Sequence, residues 1–465
     1  MLLVAAVLRF VALDLKPPHH DEGVNGFFMA KLFNSGEYRY DPQNYHGPTL
    51  YYLSLPFAKV FGLDDAPLRM EPALFGVLTV GLLLALWPVL GRAGALVAAA
   101  LMAVSAGGVF VSRYFIHESM VLFFTLGIVA ALVWLPRLGL WVSGLLASAS
   151  AAMLFCTKET ANFTAAVLLI AEYLSHFYRE KMGRPESRPE LQPSRVNTAF
   201  AVAAVAVFAA IFVAFYSSLF THWAGVKDGI IAPNMWRSTG THGQGHAQPM
   251  GSYLLWLLRE EPAILLWGFA GIYLAARRAE SRFTVFAGLW AMGMLTAYSV
   301  IPYKTPWLTL NIVLPFCVCA GYAFEQVRGR GWALPLAATS LLLGLGICIN
   351  LNFFRYDDPD AHPYVYVHTT REYKGLVAAL KRNGAETSVD VVSQDYWPLP
   401  WTMRDYPKVI FHGKMGGDGK ADFILAKPEQ AAEIQKRYGP KYREAGTWEL
   451  RPGVPLLLYE RVHPP

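Results

Sequence analysis

The chain has 465 residues, 54% of them hydrophobic and 16% charged, with a formal charge of +6 at neutral pH. Its apolar residues come in long blocks rather than amphipathic stripes, which fits a polytopic α-helical membrane protein and excludes an ordinary soluble domain. The basic residues collect at block ends without aromatic interleaving, excluding a nucleic-acid surface; Cys156, Cys317, Cys319 and Cys348 lie inside apolar blocks, excluding a disulfide framework or a zinc spacing.

A window of roughly 17 to 25 apolar residues gives about eleven transmembrane helices. They lie near residues 1–15, 72–90, 93–112, 119–136, 138–157, 160–177, 197–220, 262–276, 283–301, 309–327 and 331–351. The first block opens at Met1 with no basic flank and no small-residue cleavage site. It is expected to be a retained helix rather than a signal peptide. Arg9 inside it is expected to snorkel to the interface.

His19-His20-Asp21-Glu22 follow that block. In a strand or loop, adjacent side chains point to opposite sides, so one carboxylate could act as a base while the other orients a donor or a cation. The pair could equally open an interfacial helix, because carboxylates favour helix N-termini. The rest of this long outward loop, residues 16–71, mixes aromatic and polar residues through Phe27, Phe28, Tyr38, Tyr40, Tyr45 and Tyr51, as suits helices lying in the headgroup plane. His46-Gly47-Pro48 marks a turn that would expose His46.

Arg113 and His117 are four apart beside Glu118, and Lys158-Glu159 repeats the combination of base and acid. Both could be interface anchors or parts of a site. Arg92, Arg137, the run from Arg179 through Arg184 and Arg188 to Arg195, then Arg277, Arg278, Arg282, Arg328 and Arg330 occupy every second loop, which makes those loops cytoplasmic. The alternate loops then face outward. With Tyr303-Lys304 they put three cations, Arg113, Lys158 and Lys304, on the face that carries the carboxylates, where a phosphate would find partners.

The stretch 221–261 is expected to be a mobile flap. His242 and His246 have metal-ligand spacing for a helix, but the intervening glycines argue against a helix there. After Leu351 short apolar runs such as Val389–Val392 and Phe423–Leu425 alternate with helix-like stretches near 370–383 and 427–438, predicting a small extracytoplasmic α/β domain over 352–465, separate from a membrane domain over 1–351. Its Tyr396-Trp397-Pro398-Leu399-Pro400-Trp401 run could stack on a sugar or pack against the membrane domain.

His20-Asp21-Glu22 after the first span, Tyr45-His46-Gly47-Pro48-Thr49-Leu50-Tyr51-Tyr52 closing the loop, and Arg113 through Glu118 together resemble the GT-C superfamily of integral-membrane glycosyltransferases. That superfamily includes protein O-mannosyltransferases and the lipid A aminoarabinose transferase. Tyr364 through Arg371 and Tyr396 through Trp401 look most similar to a prokaryotic subgroup of flippase activity-associated proteins. The resemblance implies transfer of a sugar from a polyprenyl-phosphate carrier to a protein, lipid or glycan acceptor on the outer face of the cell membrane, with inversion. Asp21 matches the general base, and Glu22 would position the acceptor or assist. His20, His46, Tyr51, Arg113, His117, Glu118, Lys158, Glu159, Tyr303 and Lys304 would line the substrate site. The family varies in metal dependence, so a divalent cation, Mg or Mn, held by Asp21 and Glu118 is permitted but not demanded.

The chemistry of the residues agrees with this. A phosphate-linked sugar already has a good leaving group, so the site needs mainly a base for the acceptor and cations for the departing phosphate. A base carboxylate buried beside apolar rings would have its basicity raised. No P-loop, dinucleotide fingerprint or Ser-His-Asp spacing competes. The other function compatible with outward polar groups is a lipid-linked-sugar flippase or its accessory, which needs no base.

Overall fold

The computed structural model describes residues 1–43, 46–182, 197–242 and 245–462. Tyr45, Arg184, Arg188, Arg195, Gly243 and Gln244 lie outside them. The chain forms two compact units, one of residues 1–13 with 32–354 and one of residues 14–31 with 355–465. The division near residue 354 agrees with the shift in composition, but the acidic segment belongs to the second unit rather than to the membrane domain in which it was expected.

Among the described residues of the first unit, six helices are long and apolar enough to cross a membrane: Asp65–Leu84, Leu135–Thr157, Thr198–Tyr216, Arg282–Val300, Pro306–Val327 and Ala333–Phe354. Arg92–Val104 and Ala106–Ser112, bent by 58°, make a seventh if they are one span. Other expected spans are occupied by shorter or more polar helices, Leu2–Phe10, Glu118–Val133, Ala161–Met182 and Pro262–Arg278. The stretch expected as a flap holds two helices, Ala224–His242 and Ser252–Glu260, and residues 246–248 hydrogen-bond to residues 302–304.

Buried ionic groups close the helix breaks in this unit. Where the chain bends at Ser105, the carbonyls of Met102 and Ala103 accept from the Arg9 guanidinium, each at 3.1 Å. Glu261 holds the start of the next helix, accepting from the Ser105 hydroxyl at 2.7 Å and the Gly107 N–H at 2.8 Å. A cation on the C-terminal carbonyls and a carboxylate on the N-terminal N–H groups suit the dipoles of both half-helices. Arg9 is therefore wholly buried rather than snorkelling, because a break in a neighbouring helix offers it carbonyls inside the fold. Arg113 does the same for helix Leu2–Phe10. Its Nη1 donates to the carbonyls of Leu8 at 3.1 Å and Val11 at 2.5 Å, and its Nη2 to that of Ala12 at 2.6 Å.

In the second unit five strands form one sheet, β1 (Val389–Val391), β2 (Val409–Phe411), β3 (Phe423–Ala426), β4 (Tyr442–Arg451) and β5 (Val454–Arg461), in the order β2-β1-β3-β5-β4. β1 is parallel to β2 and β3, and β5 is antiparallel to β3 and β4. Alternate residues serve two cores, as the two-residue period of a strand requires. Val389, Val391, Phe423, Leu425, Leu456 and Leu458 pack beneath helix Glu372–Leu380. Val392, Ile424, Ala426, Leu457 and Tyr459 pack beneath helix Ala431–Tyr438. Both helices coincide with the expected helix-like stretches.

Candidate active site

The acidic motif opens helix His20–Ser35. The Gly23 N–H donates to the His19 carbonyl at 2.9 Å, which makes His19 the N-cap residue. Glu22 reaches back to accept from the His19 N–H at 2.9 Å, while the His19 Nδ1 accepts from the Asp21 N–H at 3.1 Å. This is a variant of the capping box, with an imidazole in place of the usual hydroxyl and accepting from the second helical N–H rather than the third. The two carboxylates are thereby given different work. Glu22, 5% exposed, is a capping group. The Asp21 side chain is 42% exposed, 3.8 Å from His19 Nδ1, not buried beside apolar rings as the sequence suggested.

A lone pair on Nδ1 requires a neutral His19 ring. Burial pushes its pKa down to about 4, with the negative charge of Asp21 opposing the shift. Burial also lowers His20, again against Asp21. Because His19 is depressed below its unfolded value of about 6.5, protons favour the unfolded chain. The stability of this unit is complete above that pH and is lost as pH falls from about 6.5 towards 4, by roughly 3 kcal/mol. His19→Asn keeps a capping acceptor and removes the titration, so its melting temperature should change less between pH 7 and pH 4.5 than that of the wild type. Parallel curves for the two proteins would remove His19 as the source.

The C-terminal residues of the same unit surround this helix. Thr369 donates its hydroxyl to the Pro18 carbonyl at 2.8 Å, and the His19 and His368 rings lie 4.5 Å apart. The Trp397 ring is 6.0 Å from that of His20 and edge-on to Phe27 at 6.5 Å. The Tyr396 to Trp401 run thus packs on the acidic helix.

The first unit gathers a separate polar cluster at the ends of three helices. His46 Nδ1 meets Glu159 Oε2 at 3.1 Å, and His117 Nε2 donates to the Gly47 carbonyl at 3.0 Å. The Lys158 ammonium is bonded to the Glu118 carboxylate, both buried. Tyr51, fully buried, stacks on Tyr38 at 4.6 Å, with its ring 6.1 Å from His117. Burial holds His117 well below the usual imidazole range, and His46 and Lys158 push the same way. The His46-Gly47-Pro48 turn is fixed because the Gly47 N–H bonds the Thr157 carbonyl at 3.0 Å, and a Cβ on Gly47 would lie 1.9 Å from the Cys156 oxygen. Only glycine allows that approach.

The structure therefore brings together His46, Tyr51, His117, Glu118, Lys158 and Glu159. Lys304 donates to the Gln248 carbonyl at 3.2 Å and the Ile301 carbonyl at 2.5 Å, and the Tyr303 ring lies 5.2 Å from that of His246. Arg113 is committed to carbonyls, as described. Among the described residues no three His, Cys, Asp or Glu side chains are grouped to hold a metal. Of the expected metal pair, Asp21 belongs to the second unit and Glu118 to the first. The His242 side chain lies outside the described ones.

A family model described as dolichyl-phosphate-mannose-protein mannosyltransferase matches residues 29–226, less than half of the chain. The crystal structure of ArnT from Cupriavidus metallidurans bound to undecaprenyl phosphate superimposes with a TM-score of 0.69, covering 98% of this chain and 96% of that one at 14% identity. ArnT in the apo state gives the same score and coverage at 13% identity. This is the GT-C glycosyltransferase fold. The cryo-EM structure of the arabinofuranosyltransferase AftD from Mycobacteria, an R1389S mutant, superimposes with a TM-score of 0.51, covering 100% of this chain and 41% of that one at 14% identity. No curated protein matches by sequence.

The matched family and both structural neighbours are glycosyltransferases, and the expectation of a GT-C fold is borne out. The closer likeness to flippase activity-associated proteins is not part of what these matches show. Sequence reasoning picked out the acidic pair but missed its supports, His19 as cap and Trp401 and Pro398 as packing partners. One signal was present: Gly23 and Gly26, three apart on a helix, leave a face without side chains.

Proposed function

We propose that the protein transfers a sugar from a polyprenyl-phosphate carrier to an acceptor at the outer face of the membrane, with inversion, and that Asp21 is the general base. The observation that carries this reading is the capping box, which occupies Glu22 and leaves the Asp21 carboxylate half-exposed at the head of the helix. The complex of ArnT with undecaprenyl phosphate supports the carrier class. Asp21 takes the proton from the acceptor hydroxyl as that oxygen attacks the anomeric carbon. The bond from that carbon to the phosphate oxygen breaks on the opposite side, and polyprenyl phosphate leaves with the electron pair. Glu22 contributes by holding the helix start. Because Arg113 serves carbonyls, the departing phosphate falls to Lys304, which has two of its three donors on carbonyls, or to Lys158.

Purified protein in vesicles with a polyprenyl-phosphate sugar should release polyprenyl phosphate and form a glycosylated acceptor. Movement of the lipid-linked sugar across the vesicle with no release would replace transfer by flipping. Orientation is tested separately. The alternation of basic loops places the second unit outside, so an impermeant thiol reagent should label a cysteine at Gly417 but not one at Arg188 in intact cells. The reverse pattern would turn the active face inward.

A further inference from the structure

The acidic helix carries glycine on one stripe, at Gly23 and Gly26, and the C-terminal residues of its unit fill that stripe. A Cβ on Gly23 would lie 2.7 Å from Pro398 Cβ, and a Cβ on Gly26 would lie 2.5 Å from Trp401 Cδ2. Trp401 is 2% exposed. Its ring is covered by the Arg404 guanidinium at 4.0 Å, and Arg404 also donates to the Trp401 carbonyl at 3.1 Å. The neighbouring Thr402 hydroxyl accepts from the Tyr373 hydroxyl at 2.8 Å, tying the turn to helix Glu372–Leu380. At the other end of the motif, Thr369 fixes Pro18. Asp21 therefore sits on a helix that is held before its first turn and again on its second.

We propose that Trp401 is a positioning residue for Asp21: seated in the glycine stripe and backed by Arg404, it sets the depth and rotation at which the helix presents the base. The proposal rests on the reading of Asp21 as base. A displacement of about 1 Å of a reacting group costs on the order of a hundredfold in rate, and the second turn of a helix moves rigidly with its first. Trp401 packs against Gly26, five residues beyond Asp21, so its effect travels through the helix backbone.

The test measures kcat, donor KM, the pH dependence of kcat and thermal melting for Trp401→Leu, Gly26→Ala, their combination, and Arg404→Ala, with Asp21→Asn in parallel. Each single variant should lower kcat, by roughly ten- to a hundredfold for Trp401→Leu and Gly26→Ala and less for the partly exposed Arg404, with donor KM within about twofold and the acid limb of the pH profile displaced. The combination should recover part of the loss, since the new methyl enters space vacated by the indole. Should Trp401→Leu not fold, Arg404→Ala, which loosens the indole from the other side, decides the same question. Folded variants with wild-type kcat and pH profile, beside an inactive Asp21→Asn, would overturn the positioning role and leave the base intact. A fully active Asp21→Asn would overturn both.

Discussion

Asp21→Asn is expected to lower turnover by roughly a hundred- to ten-thousandfold while donor binding survives. The substitution keeps the size of the side chain and its hydrogen-bonding capacity and removes only its ability to take a proton. The capping box sharpens the comparison with its neighbour. Glutamine at the third helical position still accepts a hydrogen bond from the cap N–H, so Glu22→Gln should leave turnover close to wild type. Glu22→Ala should lose a cap worth about 1 kcal/mol and show it in melting before it shows it in kcat. Full activity in Asp21→Asn would end the assignment of the base. Equal collapse of Asp21→Asn and Glu22→Gln would show that the two carboxylates share one task, which the hydrogen bonds around Glu22 oppose.

The second large effect concerns Lys158. Its ammonium neutralises Glu118 in a buried setting, and removing one partner of such a pair leaves an uncompensated charge that costs about 3 to 5 kcal/mol. Lys158→Met should therefore melt well below the wild type. Lys158→Met combined with Glu118→Leu should recover most of the loss, because replacing a whole buried pair by apolar groups is often neutral. Activity separates the two roles of the lysine. If Lys158 also holds the departing phosphate, the double variant should regain stability and remain inactive, whereas an active double variant would leave the phosphate to Lys304. An unchanged melting temperature in Lys158→Met would show that the pair bears no weight in the fold.

Much of this molecule could be read from its residues, and the parts that could not share a cause. Apolar blocks and strand alternation report local environment, so the membrane helices, the α/β character of residues 352–465 and the helices around 372 and 431 were legible. Charges inside apolar blocks were not, because their meaning depends on what lies opposite. Arg9 reads as a snorkelling side chain and Arg113 as a phosphate ligand until the helix ends they close are known. The same holds for the acidic pair. Glu22 is one residue from Asp21 and of the same chemistry, and only the hydrogen bond to the His19 N–H shows that the two differ in setting. The unit that contains them was illegible for a related reason: residues 14–31 and 355–465 are far apart in sequence and meet through glycines, which carry no pattern of their own.

Arg9 also fixes an order of events at the ribosome. The carbonyl of Ala103 that it serves is made 94 residues later, and until that segment has been translated the guanidinium has only the Ala5 carbonyl of its own helix, at 3.3 Å, to donate to. An arginine within an inserting apolar helix opposes insertion, by up to about 2.5 to 3.5 kcal/mol at a helix centre on translocon scales. Helix Leu2–Phe10 is thus expected to settle only when the broken helix of residues 92–112 arrives, so a defect in the later segment should be felt in the earlier one during biogenesis.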